Sequence, residues 1–94
     1  MATATFNGTV IAESDDIEIV EGNAYFPVSS LDQQYVSDSD HSTHCPWKGD
    51  ASYWDLEVGG ERAANAAWYY PEAKVGAEAV VGRVAFYPVV TVVT

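Results

Sequence analysis

The chain is short of positive charge. Four Lys and Arg stand against fourteen Asp and Glu, a formal net charge of −10 over 94 residues. Such a surface repels phosphate backbones and anionic membranes, so neither nucleic acid nor membrane is an expected partner. It also repels itself unless salt screens it. This points to a salt-loving source, with an ordinary acidic protein as the alternative. There is one cysteine, which excludes an internal disulfide. No apolar run approaches the ~20 residues that a membrane helix needs. The opening Met1-Ala2-Thr3-Ala4-Thr5 has no basic residue and no long apolar segment, unlike a secretory signal. The expected location is the cytoplasm.

What is present is bulk. Apolar residues make up 48% of the chain and aromatic residues 13%, enough for one modest core. The expectation is one small domain over residues 1–94. Abundant aromatic and β-branched side chains argue against disorder despite the charge.

Turn residues punctuate the chain every eight to twelve positions, which is the pattern of an all-β fold. Asn7-Gly8 separates Thr3–Phe6 from Thr9–Glu13 and predicts a tight hairpin. Gly22-Asn23 predicts a second between Ile17–Glu21 and Ala24–Phe26. Ser29 or Ser30 is suited to capping one helical turn. Gln34–Ser37 reads as a short strand and Asp38–Ser42 as a polar loop. In Ala51–Val58, alternation sets Trp54, Leu56 and Val58 against Tyr53, Asp55 and Glu57. Gly59-Gly60 is a turn, and Glu61–Tyr70 returns as the partner strand, although Ala63–Ala67 has helical propensity. A short helix over Ala77–Val81, a strand over Arg83–Tyr87 and a β-branched run over Val89–Val93 complete the chain. The fold class expected is mainly β: a small antiparallel sheet structure with one or two short helical turns.

Chemistry concentrates in one place. The eleven residues from His44 to Trp54 hold the single cysteine, one of two histidines, one of two lysines and two of three tryptophans. The catalytic candidates are His44, Lys48 and Cys45. His44 is a proton carrier, and Cys45 a small buried hydrophobe first and a nucleophile second. Lys48, rare and set between Trp47 and Gly49, is suited to contacting an anion. A structural salt bridge or a stem packed over Trp47 is the alternative. The ligand-binding candidates are Trp47, Lys48, Tyr53, Trp68 and Tyr70, with the indoles as walls and the phenols as hydroxyl donors. Alternation puts Trp68 and Tyr70 opposite Tyr69. His41, His44 and Cys45 with Asp38 or Asp40 could be read as zinc ligands, but only one ligand cluster exists where structural zinc sites use two pairs. No metal and no cofactor are expected. Asp38-Ser39-Asp40 lacks the glycine-rich phosphate cradle that magnesium-dependent nucleotide transfer requires.

Asn7-Gly8, Glu21-Gly22-Asn23 with Tyr25-Phe26-Pro27, Thr43-His44-Cys45-Pro46-Trp47-Lys48-Gly49, Ala51 with Tyr53, Ala66-Ala67-Trp68 with Tyr70-Pro71, and Val84-Ala85-Phe86-Tyr87 follow in that order. This pattern resembles the domain of unknown function 427 family over almost the whole chain. The resemblance implies a compact, mainly β domain akin to β-tent folds. Members are sometimes labelled nucleotidyltransferase-like, but the Gly-Ser and strand-borne carboxylate signature of that activity is missing here. Zinc-holding β-tent proteins use two Cys-x-x-Cys pairs, also missing. Some β-tent domains hold small cyclic ligands in an aromatic cage, a role that Trp47, Trp68 and Tyr70 would fit. The function expected is therefore binding of a small anionic or aromatic molecule around His44–Gly49. A non-catalytic interaction module or homodimer is the alternative, and nucleotidyl transfer a more distant one.

Overall fold

The computed structural model describes residues 1–94. It contains nine strands, three 3-10 turns and no α-helix. The first hairpin joins β1 (Ala2–Phe6) to β2 (Thr9–Ser14). Asn7 and Gly8 both take positive φ, 48° and 77°, as its two-residue turn requires. The second joins β3 (Glu18–Val20) to β4 (Asn23–Pro27). Its turn is Glu21-Gly22, one residue earlier than the sequence suggests, because Val20 pairs with Asn23. Glu21 is thereby held at φ 54°, which a side chain bearing a Cβ resists.

From β4 the chain makes 3-10 turns at Val28–Ser30 and Gln33–Tyr35, the second capped by Asp32. It then enters β5 (Val36–Cys45), β6 (Gly49–Val58) and β7 (Glu61–Tyr69), an antiparallel meander. The polar loop expected over Asp38–Ser42 is instead part of β5, with irregular register there. β5 lies at a sheet edge, where charged and polar residues face water and deter further pairing. The Ala-rich stretch of β7 is extended, since pairing on both sides overrides its helical propensity. Asp55 anchors a bulge in this meander. It accepts hydrogen bonds from the Arg62 guanidinium at 2.6 Å and the Asn65 amide at 2.8 Å. A 3-10 turn at Glu78–Val80 precedes β8 (Arg83–Phe86) and β9 (Thr91–Val93).

The strands form two antiparallel sheets, in the orders β2-β1-β9 and β3-β4-β8-β7-β6-β5. Their facing sides enclose the main core, in which Ala4, Ile11, Phe26, Leu56, Ala67 and Val84 are almost fully buried. Trp54 and Tyr69 belong to this inner side and stack at 4.0 Å between ring centroids. A second, smaller core lies on the outer face of the six-stranded sheet, built from Tyr25, Ala51, Tyr53, Tyr70, Val80 and Ala85. No helix is long and apolar enough to cross a membrane.

Candidate functional site

Cys45 pairs with Gly49, so Pro46-Trp47-Lys48 forms the three-residue loop between β5 and β6. Pro46 suits the end of the strand because it has no N–H to pair. Gly49 has φ 112°, and a Cβ there would lie 3.1 Å from the Glu72 carbonyl oxygen. That close approach belongs to a segment lying along the loop. The Lys74 amide donates to the Lys48 carbonyl at 3.0 Å, and Lys74 Nζ donates to the Pro46 carbonyl at 2.8 Å.

Lys48 itself is only 5% exposed. Its Nζ sits 5.3 Å from the ring centres of both Trp47 and Tyr70 and donates to Glu21 Oε1. Burial alone pulls the ammonium pKa down. The Glu21 bond, with Tyr25 and Tyr70, outweighs it and holds the pKa well above the ordinary value. The amine therefore stays charged at neutral pH. The same bond lowers the Glu21 pKa against a smaller effect of burial, and the Trp47 indole contributes. Burial raises the Tyr70 pKa, with Lys48 opposing. No buried side-chain nitrogen or oxygen lacks a hydrogen-bond partner.

The outer face gathers several of the residues singled out in the sequence. Tyr53 pairs with Trp68, and Trp68 with Ala85, in one row across β6, β7 and β8. The Trp68 indole donates to the Tyr25 hydroxyl at 3.1 Å. The Tyr53 hydroxyl lies 2.8 Å from Thr43 Oγ1, and the His41 ring packs 4.5 Å from the Tyr53 ring. Cys45 and Trp68 pack against this cluster from its rim. Lys48, Tyr70, Tyr53, Trp68 and Cys45 thus share a face, with half-exposed Trp47 beside Lys48. The Lys48 ammonium, the Tyr53 hydroxyl and the Trp68 indole are each engaged with a further protein group, Glu21, Thr43 and Tyr25 in turn, and Val80 is buried in the same cluster.

His44 is separated from that group. Strand alternation turns it away from Thr43 and Cys45 to the opposite face of β5. There its Nδ1 lies 2.7 Å from Asp50 Oδ1, leaving Nε2 as the second ring nitrogen. Both residues are exposed and line a cleft of about 440 Å³ shared with Gly49, Ser52, Glu72 and Lys74. Asp38 accepts a hydrogen bond from the Trp54 indole at 3.1 Å. No three His, Cys, Asp or Glu side chains converge anywhere in the chain.

The matching family model is described as Domain of unknown function (DUF427) and spans residues 1–94. The chain belongs to this family. A search of curated proteins finds no match. In this DUF427 chain, four residues around the His44–Gly49 segment were not among the site candidates read from the sequence: Glu21, Asp50, Glu72 and Lys74. Lys74 was visible by the same argument as Lys48, being the only other lysine. Glu21 carried a subtler signal, a glutamate before Gly22 where two-residue turns favour Asn, Asp or Gly.

Proposed function

We propose that this DUF427 domain is a cytoplasmic small-molecule binder whose ligand enters the cleft between the His44–Gly49 segment and Pro71–Lys74. The observation that carries this reading is the His44–Asp50 pair sharing one cleft with Lys74. A carboxylate on Nδ1 fixes the imidazole's tautomer and leaves Nε2 to accept or return a proton. Lys74 spends one N–H on the Pro46 carbonyl and keeps two for an anionic group. Asp50 and Glu72 accept hydrogen bonds from hydroxyls or amines on the same ligand. The ligand class is a small polar molecule with one anionic group and several donors.

In this reading the outer-face residues support the cleft from behind. Lys48 contacts an anion, the protein's own Glu21 carboxylate, and a ligand anion reaches it only by displacing Glu21. Trp47 and Tyr70 hold the lysine in place. Tyr53 and Trp68 fix the sheet beneath them, and Cys45 packs. A thermal-shift screen of polar metabolites at high salt tests the proposal, since a ligand that binds only the folded state raises the melting temperature. The stabilisation is expected to disappear in both His44→Ala and Lys74→Ala, whose side chains lie at the surface. A ligand that stabilises both variants as well as the parent would move the site elsewhere.

One observation favours a second reading, self-association. β9 pairs only with β1, so its other edge is free, and Val93 is exposed upon it. A free edge accepts a strand from another copy. Light scattering that finds only monomer at high protein concentration removes this reading.

A further inference from the structure

A second hollow differs from the proposed cleft in composition and in lining. It runs between the β3–β4 hairpin and the C-terminal strand, encloses about 620 Å³, and shares no residue with the first. That volume falls within the usual range for small-molecule sites. Charged residues make up 19% of the chain, so about two of the eleven lining side chains would be expected to carry charge. None does. In a chain of net charge −10, a hollow this large with no charged side chain in its lining is a selective feature.

Its walls are aromatic. Trp68 and Tyr87 have ring centroids 4.8 Å apart and planes tilted by 56°. A flat ring can stack on one and meet the other edge-on, the two arrangements aromatic pairs favour. The Trp68 indole N–H is already given to Tyr25, so the ring offers a face rather than a donor. Tyr87 is 43% exposed and Ile19 60%, leaving apolar surface at the rim. The Asn23 amide and the Thr94 hydroxyl supply neutral hydrogen-bonding groups in the lining. Gly22 adds no side chain to close the space.

We infer that this groove is a binding site for an uncharged, planar ring molecule held against Trp68 and Tyr87. No cationic side chain lines it to receive an anion, and the net charge of the chain disfavours one. The pKa of the Tyr87 hydroxyl is pushed up to about 12 by the neighbouring Tyr53 and by burial, so the wall stays neutral under ordinary conditions.

Titration of the isotope-labelled protein with indole, followed by amide and indole N–H resonances, tests the inference. Saturable shifts are expected at Asn23, Ala24, Trp68 and Tyr87. Indole-3-acetate, the same ring bearing a carboxylate, is expected to bind about tenfold more weakly. Tyr87→Ala removes a wall and Ile19→Glu puts a charge at the rim. Both positions are exposed, the spectra report whether the fold is kept, and each is expected to weaken indole binding several-fold. Failure to saturate, shifts centred on His44 and Lys74, equal affinity for the two probes, or unchanged binding in both variants would each overturn the proposal. None of these outcomes bears on whether polar ligands enter the other cleft, except shifts there, which would favour it.

Discussion

Replacing Gly49 by alanine tests the reasoning about the loop most directly. Two costs are separable. A side chain at φ 112° resists the left-handed backbone by about 1–2 kcal/mol. The new Cβ would also stand 3.1 Å from the Glu72 carbonyl oxygen, so the Pro71–Lys74 segment must withdraw. Withdrawal loosens the hydrogen bond from the Lys74 amide to the Lys48 carbonyl, adding about 1 kcal/mol. The total is about 2–3 kcal/mol. For a domain of this size each kcal/mol moves the melting temperature by about 4–8 °C, so a drop of about 10–20 °C is expected by calorimetry. Gly60→Ala is the internal control. Its φ is 87° and nothing lies within 4 Å of the added Cβ, so it bears only the backbone cost. Gly49→Ala should melt about 4–8 °C below it in the same buffer. Equal melting of the two variants would refute the close approach of Glu72 as the reason glycine stands at 49.

Three further outcomes are expected. Asp55→Ala leaves Arg62 and the Asn65 amide without their buried acceptor and should cost about 2–3 kcal/mol in urea unfolding. Glu21 has a lowered pKa in the fold, so its contribution is present above its ordinary 4.5 and is lost as pH falls through the folded value. Lys48 has a raised pKa, so its contribution is present below 10.5 and is lost as pH rises through the folded value. The raised pKa values of Tyr70 and Tyr87 also lower stability as pH climbs above 10.0, so the acid side is the cleaner test. Lys48→Met should flatten the loss of stability below pH 4.5, and an unchanged acid limb would count against the pairing. Melting temperature should rise with potassium chloride, because screening relieves the self-repulsion of a chain at −10; a flat or falling response would contradict that charge argument.

Much of the fold was legible because its turns announce themselves. Asn7-Gly8 and Gly59-Gly60 both adopt positive φ and sit between paired strands, as their composition requires. The Glu21-Gly22 turn was misplaced by one residue because Asn23 is as good a turn former as any, and only pairing across the strands decides between them. Asp38–Ser42 looked like a loop because an edge strand carries the same polar residues as a loop. Its partner, β6, is visible only in three dimensions. Period-two alternation separated Trp54 from Tyr53, and Tyr69 from Trp68 and Tyr70, on opposite faces. The same alternation parts His44 from Cys45, but adjacency in sequence suggested a shared hollow. The Glu21–Lys48 pair joins hairpins far apart along the chain, a contact that no local pattern encodes.

The pairing of β1 with β9 has a kinetic consequence. Thr3 meets Val93, so the smaller sheet closes across a very long stretch of intervening sequence. Closing so long a loop costs entropy before its contacts return any, so this seam zips late, after the local hairpins and the central meander. Opening of the smaller wall starts there too, parting β9 and leaving β1 and β2 joined as a hairpin.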